Sequence, residues 1–290
     1  MMNKKISVYL AGGWFTENTN EILTEMENKL RSCEHISPYF PRHDGIKLKE
    51  GEIQNHELRK RVFTDNVTHI DAADFVLTNM DGQDGFYDTG TVWELGYAMS
   101  KDIPVVAFDT TGTVSERLPN FAEGFEIILT SFEELGTFLE SISQFVPQRK
   151  KSSNKKVLLV SPSDTEVQRE NAKDVAAVII ECKGSEFRWV DQSSKLGLYT
   201  YMDDIFQGVE LMVAVIDDRD PLVSWMMGQA YQRGIPTVSY TDFDYGVNVM
   251  LAVSITEHIK GKNNLKAFLQ KIKREGIPTQ SYDTSNLKCY

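Results

Sequence analysis

The same pattern is written twice in this chain, and that repetition limits the possible folds more than any other feature. Trp93-Glu94-Leu95-Gly96-Tyr97-Ala98 runs on to Ile103-Pro104, and Trp225-Met226-Met227-Gly228-Gln229-Ala230 runs on to Ile235-Pro236, with the proline eleven residues after the tryptophan in both. Each stretch follows an apolar run that ends in aspartate, Asp74 to Asp81 in the first half and Glu210 to Asp217 in the second. Each half also opens on a lysine pair and a β-rich run, Lys4-Lys5 before Ile6 to Ala11 and Lys155-Lys156 before Val157 to Val160. Self-similarity of this kind predicts two copies of one structural unit, an internal duplication.

The polar, basic stretch from Pro147 to Lys156 lacks the apolar content needed for burial and reads as a linker. The expected division is a first domain over 1–146, a linker over 147–156 and a second domain over 157–290. Apolar runs of strand length alternate with helical patterns at 20–30, 55–70 and 91–100, which predicts βα units on a parallel sheet and an α/β fold. On such sheets ligands sit at the carboxyl ends of the strands, in the loops that lead into helices.

Composition narrows the partners. A net charge of -11 and a pI near 5.0 oppose binding to a phosphate backbone, so small neutral molecules are expected rather than nucleic acid. The three cysteines, Cys33, Cys182 and Cys289, have no paired spacing. Neither a disulfide framework nor a metal site is expected, and a reducing cytoplasm fits. The apolar run Ile6 to Phe15 is too short for a membrane span and is interrupted by Gly12 and Gly13. It reads as a first strand, and no membrane contact is expected.

Three strand-to-helix loops of the first half hold the unusual residues. Gly12 and Gly13 allow close backbone approach to a ligand, although tight turns use the same pair, while Trp14 and Phe15 offer planar faces to a base. The second loop, Pro41 to Gly45, carries His43 and Asp44; the other histidines, His35, His56, His69 and His258, are expected on solvated faces or turns. The third contains Asp88-Thr89-Gly90-Thr91-Val92-Trp93-Glu94, two carboxylates six residues apart, with Glu94 expected in the first turn of a helix. The helix dipole there would favour the ionised form that a nucleophile needs. The run from Thr91 to Glu94 also satisfies a capping box, in which the glutamate only satisfies a backbone amide. Spacing alone leaves both open.

The segment from Tyr9 to Thr16, taken with Asp88-x-Gly-Thr-x-x-Glu94-Leu-Gly-Tyr-Ala98, resembles the nucleoside 2-deoxyribosyltransferase family over roughly residues 4 to 110. The resemblance implies flavodoxin-like, Rossmann-like domains and transfer of 2-deoxyribose between nucleobases by double displacement, with no cofactor. It implies Glu94 as nucleophile, Tyr9 as the group that orients it, Asp88 at sugar and base with Gly90 beside it, and Trp14 at the base wall. The family often has an aspartate in the helix before the Asp74 strand; here Asp65 or Asn66 is the counterpart, and the proton donor stands between Asp65 and Asp88. Two carboxylates suit the chemistry, one capturing the anomeric carbon while an acid protonates the departing base.

In the second half Met226 and Gln229 replace Glu94 and Tyr97, so that half is expected to be catalytically inactive. Its segment around Asn248 resembles the one the family uses to contact sugar hydroxyls in a neighbouring subunit's site, and Tyr290 resembles the terminal tyrosine that some relatives place there. A pseudo-dimer within the chain is therefore expected, with a further homo-oligomer left open. Two alternatives stand beside transfer: hydrolysis of deoxynucleosides or their 5'-monophosphates, against which bulky Trp14 and Phe15 argue for free nucleosides, and a non-catalytic nucleoside-binding regulator.

Overall fold

The computed structural model describes residues 5–49, 51–81, 87–117, 122–142, 156–183, 187–190, 202–216, 220–243, 246–277, 287 and 289. Nearly all of the expected linker, and Tyr290, lie outside them. In the first half β1 (Ile6–Ala11), β2 (Ile36–Tyr39), β3 (Phe75–Asn79), β4 (Val105–Phe108) and β5 (Ile127–Leu129) form a parallel sheet in the order β2-β1-β3-β4-β5. In the second, β6 (Lys156–Val160), β7 (Phe187–Val190), β8 (Val209–Val215), β9 (Thr237–Thr241) and β10 (Glu257–Lys260) are also all parallel, ordered β10-β9-β8-β6-β7. Numbered within its own half, each sheet has the flavodoxin-like order 2-1-3-4-5. The expected α/β class is what the chain adopts.

Parallel neighbours require crossovers, and helices supply them. The first half contains α1 (Glu17–Ser32), α2 (Pro41–Asp44), α3 (His56–Asp71), α4 (Thr89–Ser100), α5 (Thr113–Arg117) and α6 (Phe132–Ser141). The second contains α7 (Glu166–Lys183), α8 (Met202–Phe206), α9 (Pro221–Gln232), α10 (Val249–Ser254) and α11 (Lys262–Glu275). The expected loop at Pro41 to Gly45 is instead the single turn α2, started by proline at its first position and closed by the Gly45 amide on the Pro41 carbonyl. No helix among the described residues is long and apolar enough to cross a membrane.

The period-2 alternation of each strand sorts its side chains into two layers. Val8 and Leu10, Phe75 and Leu77, and Val106 and Phe108 face outward onto Leu23, Met26 and Leu30 of α1 and Leu135, Phe138 and Leu139 of α6. Tyr9 and Ala11, Val76, Val105 and Ala107 face the other way. The second sheet does the same: Val157, Leu159, Leu211 and Val213 pack outward, while Leu158, Val160, Met212 and Ala214 pack inward. The two inner faces share one apolar cluster, in which α4 and α9 lie between the sheets.

These two helices meet at their backbones. A Cβ added to Gly96 would lie 2.0 Å from the Trp225 carbonyl oxygen, and one added to Gly228 would lie 2.2 Å from that of Trp93. The contact is reciprocal, since the repeated motif aligns Gly96 with Gly228 and Trp93 with Trp225. Each helix then ends on a residue with positive φ at the same place, Asp102 (71°) and Gly234 (68°), just before Ile-Pro.

Replacing Gly136, whose Cβ would meet nothing within 4 Å in α6, by alanine should raise stability by about 0.5–1 kcal/mol through helix propensity. The same change at Gly96 or Gly228 forces backbones apart and should lower it by about 1–3 kcal/mol. Thermal unfolding of the three variants measures this, and a stabilised Gly96→Ala would contradict the packing described.

Candidate active site

Four segments converge at the carboxyl ends of β1 and β3. Tyr9 projects from the inner face of β1, is fully buried, and donates its hydroxyl to Glu94 Oε1 at 2.6 Å. Asn66 comes from α3, whose buried stripe Arg59, Phe63, Asn66 and Ile70 follows helical spacing, and its Nδ2 donates to the same oxygen at 3.2 Å. No described residue donates to Glu94 Oε2. The carboxylate is only 6% exposed, because every residue of α4 up to Met99 is enclosed between the first sheet and the second half.

The helix start differs from both sequence expectations. Asp88, not Thr91, is the N-cap; its Oδ2 accepts from the Thr91 amide and the Thr91 hydroxyl, each at 2.7 Å. Glu94 therefore lies in the second turn, beyond the reach of a capping box and outside the first turn, where the dipole acts. That position gives its ionised form no support from the helix dipole. Burial pushes the Glu94 carboxyl up to about 8 from an ordinary value near 4.5; the Asp88 charge adds to this, and the hydrogen bonds from Tyr9 and Asn66 oppose it. Burial and the adjacent Glu94 also raise the Tyr9 phenol well above its usual value, which keeps it a donor.

The second half reaches into this place. Asn248 caps α10, accepting from the Met250 amide at 2.8 Å, and its Nδ2 donates to Asp88 Oδ1 at 3.3 Å. Asn66 Nδ2 lies 3.7 Å from Met250 Sδ. Gly90 makes room for this approach, since a Cβ there would fall 2.4 Å from the Asn248 amide atoms. Gly13 does the same on the other side, with its Cβ position 2.7 Å from Asp88 Cβ, whereas Gly12 packs on Leu23 of α1.

The remaining candidates form a rim and a supporting layer. Trp14 and the exposed Phe15 stack at 5.8 Å, and Trp14 and His43 both stand edge-on to Phe40. His43 Nδ1 pairs with Glu27 at 2.6 Å, and Asp44 Oδ2 accepts from Arg31 and the Phe40 amide, so both are tied to their own neighbourhood rather than to Glu94. Asp65 does not touch Glu94 either; it accepts from the Tyr39 hydroxyl at 2.6 Å. Tyr39 in turn stacks on Tyr9 at 5.7 Å and on His69 at 3.5 Å. His69 joins this support by its stacking while its side chain stays partly exposed on α3, and neither it nor Tyr39 was among the sequence candidates. Among the described residues no cluster of three or more His, Cys, Asp or Glu could hold a metal ion.

The second half has nothing comparable at the matching positions. Leu158 pairs with Met212 as Tyr9 pairs with Val76, and Met202 stands ten residues before Met212 as Asn66 stands ten before Val76. With Met226 in place of Glu94, the hydrogen-bonded trio becomes Leu158, Met202 and Met226, all at most 5% exposed within the inner apolar cluster.

Residues 8–140 match the family model for nucleoside 2-deoxyribosyltransferase. The N-terminal half belongs to that family. In a comparison of structures, the chain is similar to a 2-deoxyribosyltransferase from Bacillus psychrosaccharolyticus, with 23% identity, 49% of this chain and 98% of that one covered, and a TM-score of 0.42. It is also similar to a conserved protein of Enterococcus faecalis V583, with 21% identity, 48% and 98% covered, and a TM-score of 0.37. No curated protein matches the sequence. Among the described residues, the polar contacts to Glu94 come from the first half itself, and the second half enters at Asp88 and Asn66.

The buried carboxyl has a pH signature. Because its value is raised on folding, its favourable contribution is complete below about 4.5 and is lost as pH rises through about 8. Glu94→Gln, an uncharged isostere, should therefore gain stability relative to the parent as pH rises from 5 to 9. A thermal-unfolding difference that stays flat across that range would contradict the burial of this group.

Proposed function

We propose that the first half transfers 2-deoxyribose between nucleobases through a covalent glycosyl ester on Glu94, and that the second half, a degenerate copy, is catalytically inactive and completes the site. The observation that carries this reading is the state of Glu94: buried, with Oε1 fixed by two donors and Oε2 engaged by none of the described residues. That arrangement holds one oxygen still while the other is presented, which is what a positioned nucleophile requires.

The proton balance closes without an external acid. Burial favours the neutral form of Glu94, and its proton is the one the departing base takes up as the C1'–N bond breaks and the C1'–Oε2 bond forms. Asp88 is the carboxylate whose charge Glu94 feels, so it is proposed as the relay, while Asp65 acts by holding Tyr39. An incoming base returns a proton by the same route as it displaces the ester. Trp14 and Phe15 supply the planar rim for the base, with Gly12 and Gly13 letting that loop lie close, and His43 and Asp44 border it. Asn248 and Asp88 face the sugar hydroxyls. Tyr290, outside the described residues, keeps the role that the resemblance gives it.

The test is incubation of deoxyinosine with adenine and chromatography for deoxyadenosine. The parent protein should form it, and Glu94→Ala should lower the rate by on the order of a thousandfold or more. Free deoxyribose without exchange would replace transfer by hydrolysis, and binding without either product would make the protein a binder.

Because Asn248 meets Asp88 of its own chain, Asn248→Ala should lower kcat/KM by roughly ten to a thousandfold. Mixing it with Glu94→Ala protein should restore nothing. Recovered activity in the mixture would mean that sites are shared between chains.

A further inference from the structure

We infer that Gln54 and Arg59 are positioning residues for Asn248, acting through the segment that holds Leu287 and Cys289. The inference rests on the reading of Asn248 as a substrate contact, and its starting point is an anomaly on α3. The buried stripe of that helix is Arg59, Phe63, Asn66 and Ile70, and Arg59 is 0% exposed. A guanidinium in an apolar stripe is costly unless it is engaged. Arg59 Nη1 donates to the Leu287 carbonyl at 2.7 Å and contacts Cys289 Sγ at 2.9 Å.

Gln54, five residues earlier, holds the same segment by its backbone. Its Nε2 donates to the Cys289 carbonyl at 2.7 Å, and its Oε1 accepts from the Cys289 amide at 3.3 Å. The side-chain amide thus takes the place of a strand neighbour. On its other edge Cys289 pairs in parallel with Val247, the residue before Asn248. A continuous path of hydrogen bonds and backbone therefore runs from α3 through Cys289 and Val247 to the Asn248 amide, and from there to Asp88.

The path matters because the last link is long. At 3.3 Å the bond from Asn248 to Asp88 is near the limit of useful geometry, and a small shift of Val247 would break it. The cap to Met250 fixes Asn248 relative to α10 but not relative to Asp88. Through Arg59 the strap ties that second constraint to the same helix that presents Asn66 to Glu94, and Gln54 adds to it from just before that helix.

The experiment uses the full chain with Gln54→Ala, a change at the surface, and Arg59→Met with Arg59→Lys as its conservative rescue. For deoxyinosine, Gln54→Ala and Arg59→Met should raise KM about five- to tenfold with kcat within about twofold, and Arg59→Lys should recover most of the loss. Hydrogen exchange without substrate should quicken at the amides of Met250 and Ala252, which bond to Asn248. Parental exchange and parental KM in both Gln54→Ala and Arg59→Met would overturn the strap. The exchange arm decides it even if the parent turned over no deoxynucleoside, a result that would count against the proposed reaction instead.

Discussion

The close approach of α4 and α9 is the constraint on which the rest depends. Two helices can meet at backbone distance only where neither carries a side chain, and Gly96 and Gly228 each lie on the tryptophan carbonyl of the other helix. That contact brings the two inner sheet faces into one core and encloses α4 up to Met99. An enclosed α4 means an enclosed Glu94, and the same juxtaposition delivers Asn248 and Met250 to the edge of its site. Interdomain packing and site geometry are therefore one feature rather than two.

Enclosure sets the chemistry of the carboxyl. Removing it from water favours the neutral form, and the two donors on Oε1 recover only part of what the anion loses. In the proposed reaction the same environment becomes an advantage, since the charge of a developing cationic sugar would compensate the carboxylate where water does not screen the pair. The second half shows the opposite solution in the same fold. There Leu158, Met202 and Met226 fill the equivalent positions with apolar groups, which carry no desolvation cost. One half keeps a destabilising polar trio and the other is free of it, which is the pattern expected where only one is held to a reaction.

Much of this was legible beforehand, and the exceptions have physical reasons. The strand pattern and the repeated tryptophan motif pointed to two parallel α/β sheets, because period-2 alternation and the Gly-x-Ala helices are local signals. Tyr9, Asp88 and Glu94 stood out through joint motifs. The start of α4 was misjudged because Asp88 and Thr91 are both good caps, and only the fold shows which amides they reach. Between Asp65 and Asn66 the sequence did contain an answer: the apolar phase of Phe63 and Ile70 puts Asn66 on the buried stripe and leaves Asp65 on its flank. His69 and Tyr39 left no such trace, since their stacking joins β2 to α3 across a long stretch of chain. The strap residues Gln54 and Arg59 were equally silent, as their partners lie more than two hundred residues away.

The central claim is that Glu94 is the atom donor of a covalent bond to the sugar. It is tested most directly by acid-quenching the protein with a deoxynucleoside in the absence of acceptor base, followed by mass spectrometry of the digested chain. The account predicts one added deoxyribosyl group on the peptide that contains Glu94, discharged when adenine is added before the quench. Base exchange proceeding with no adduct, or with the adduct on another residue, would contradict it.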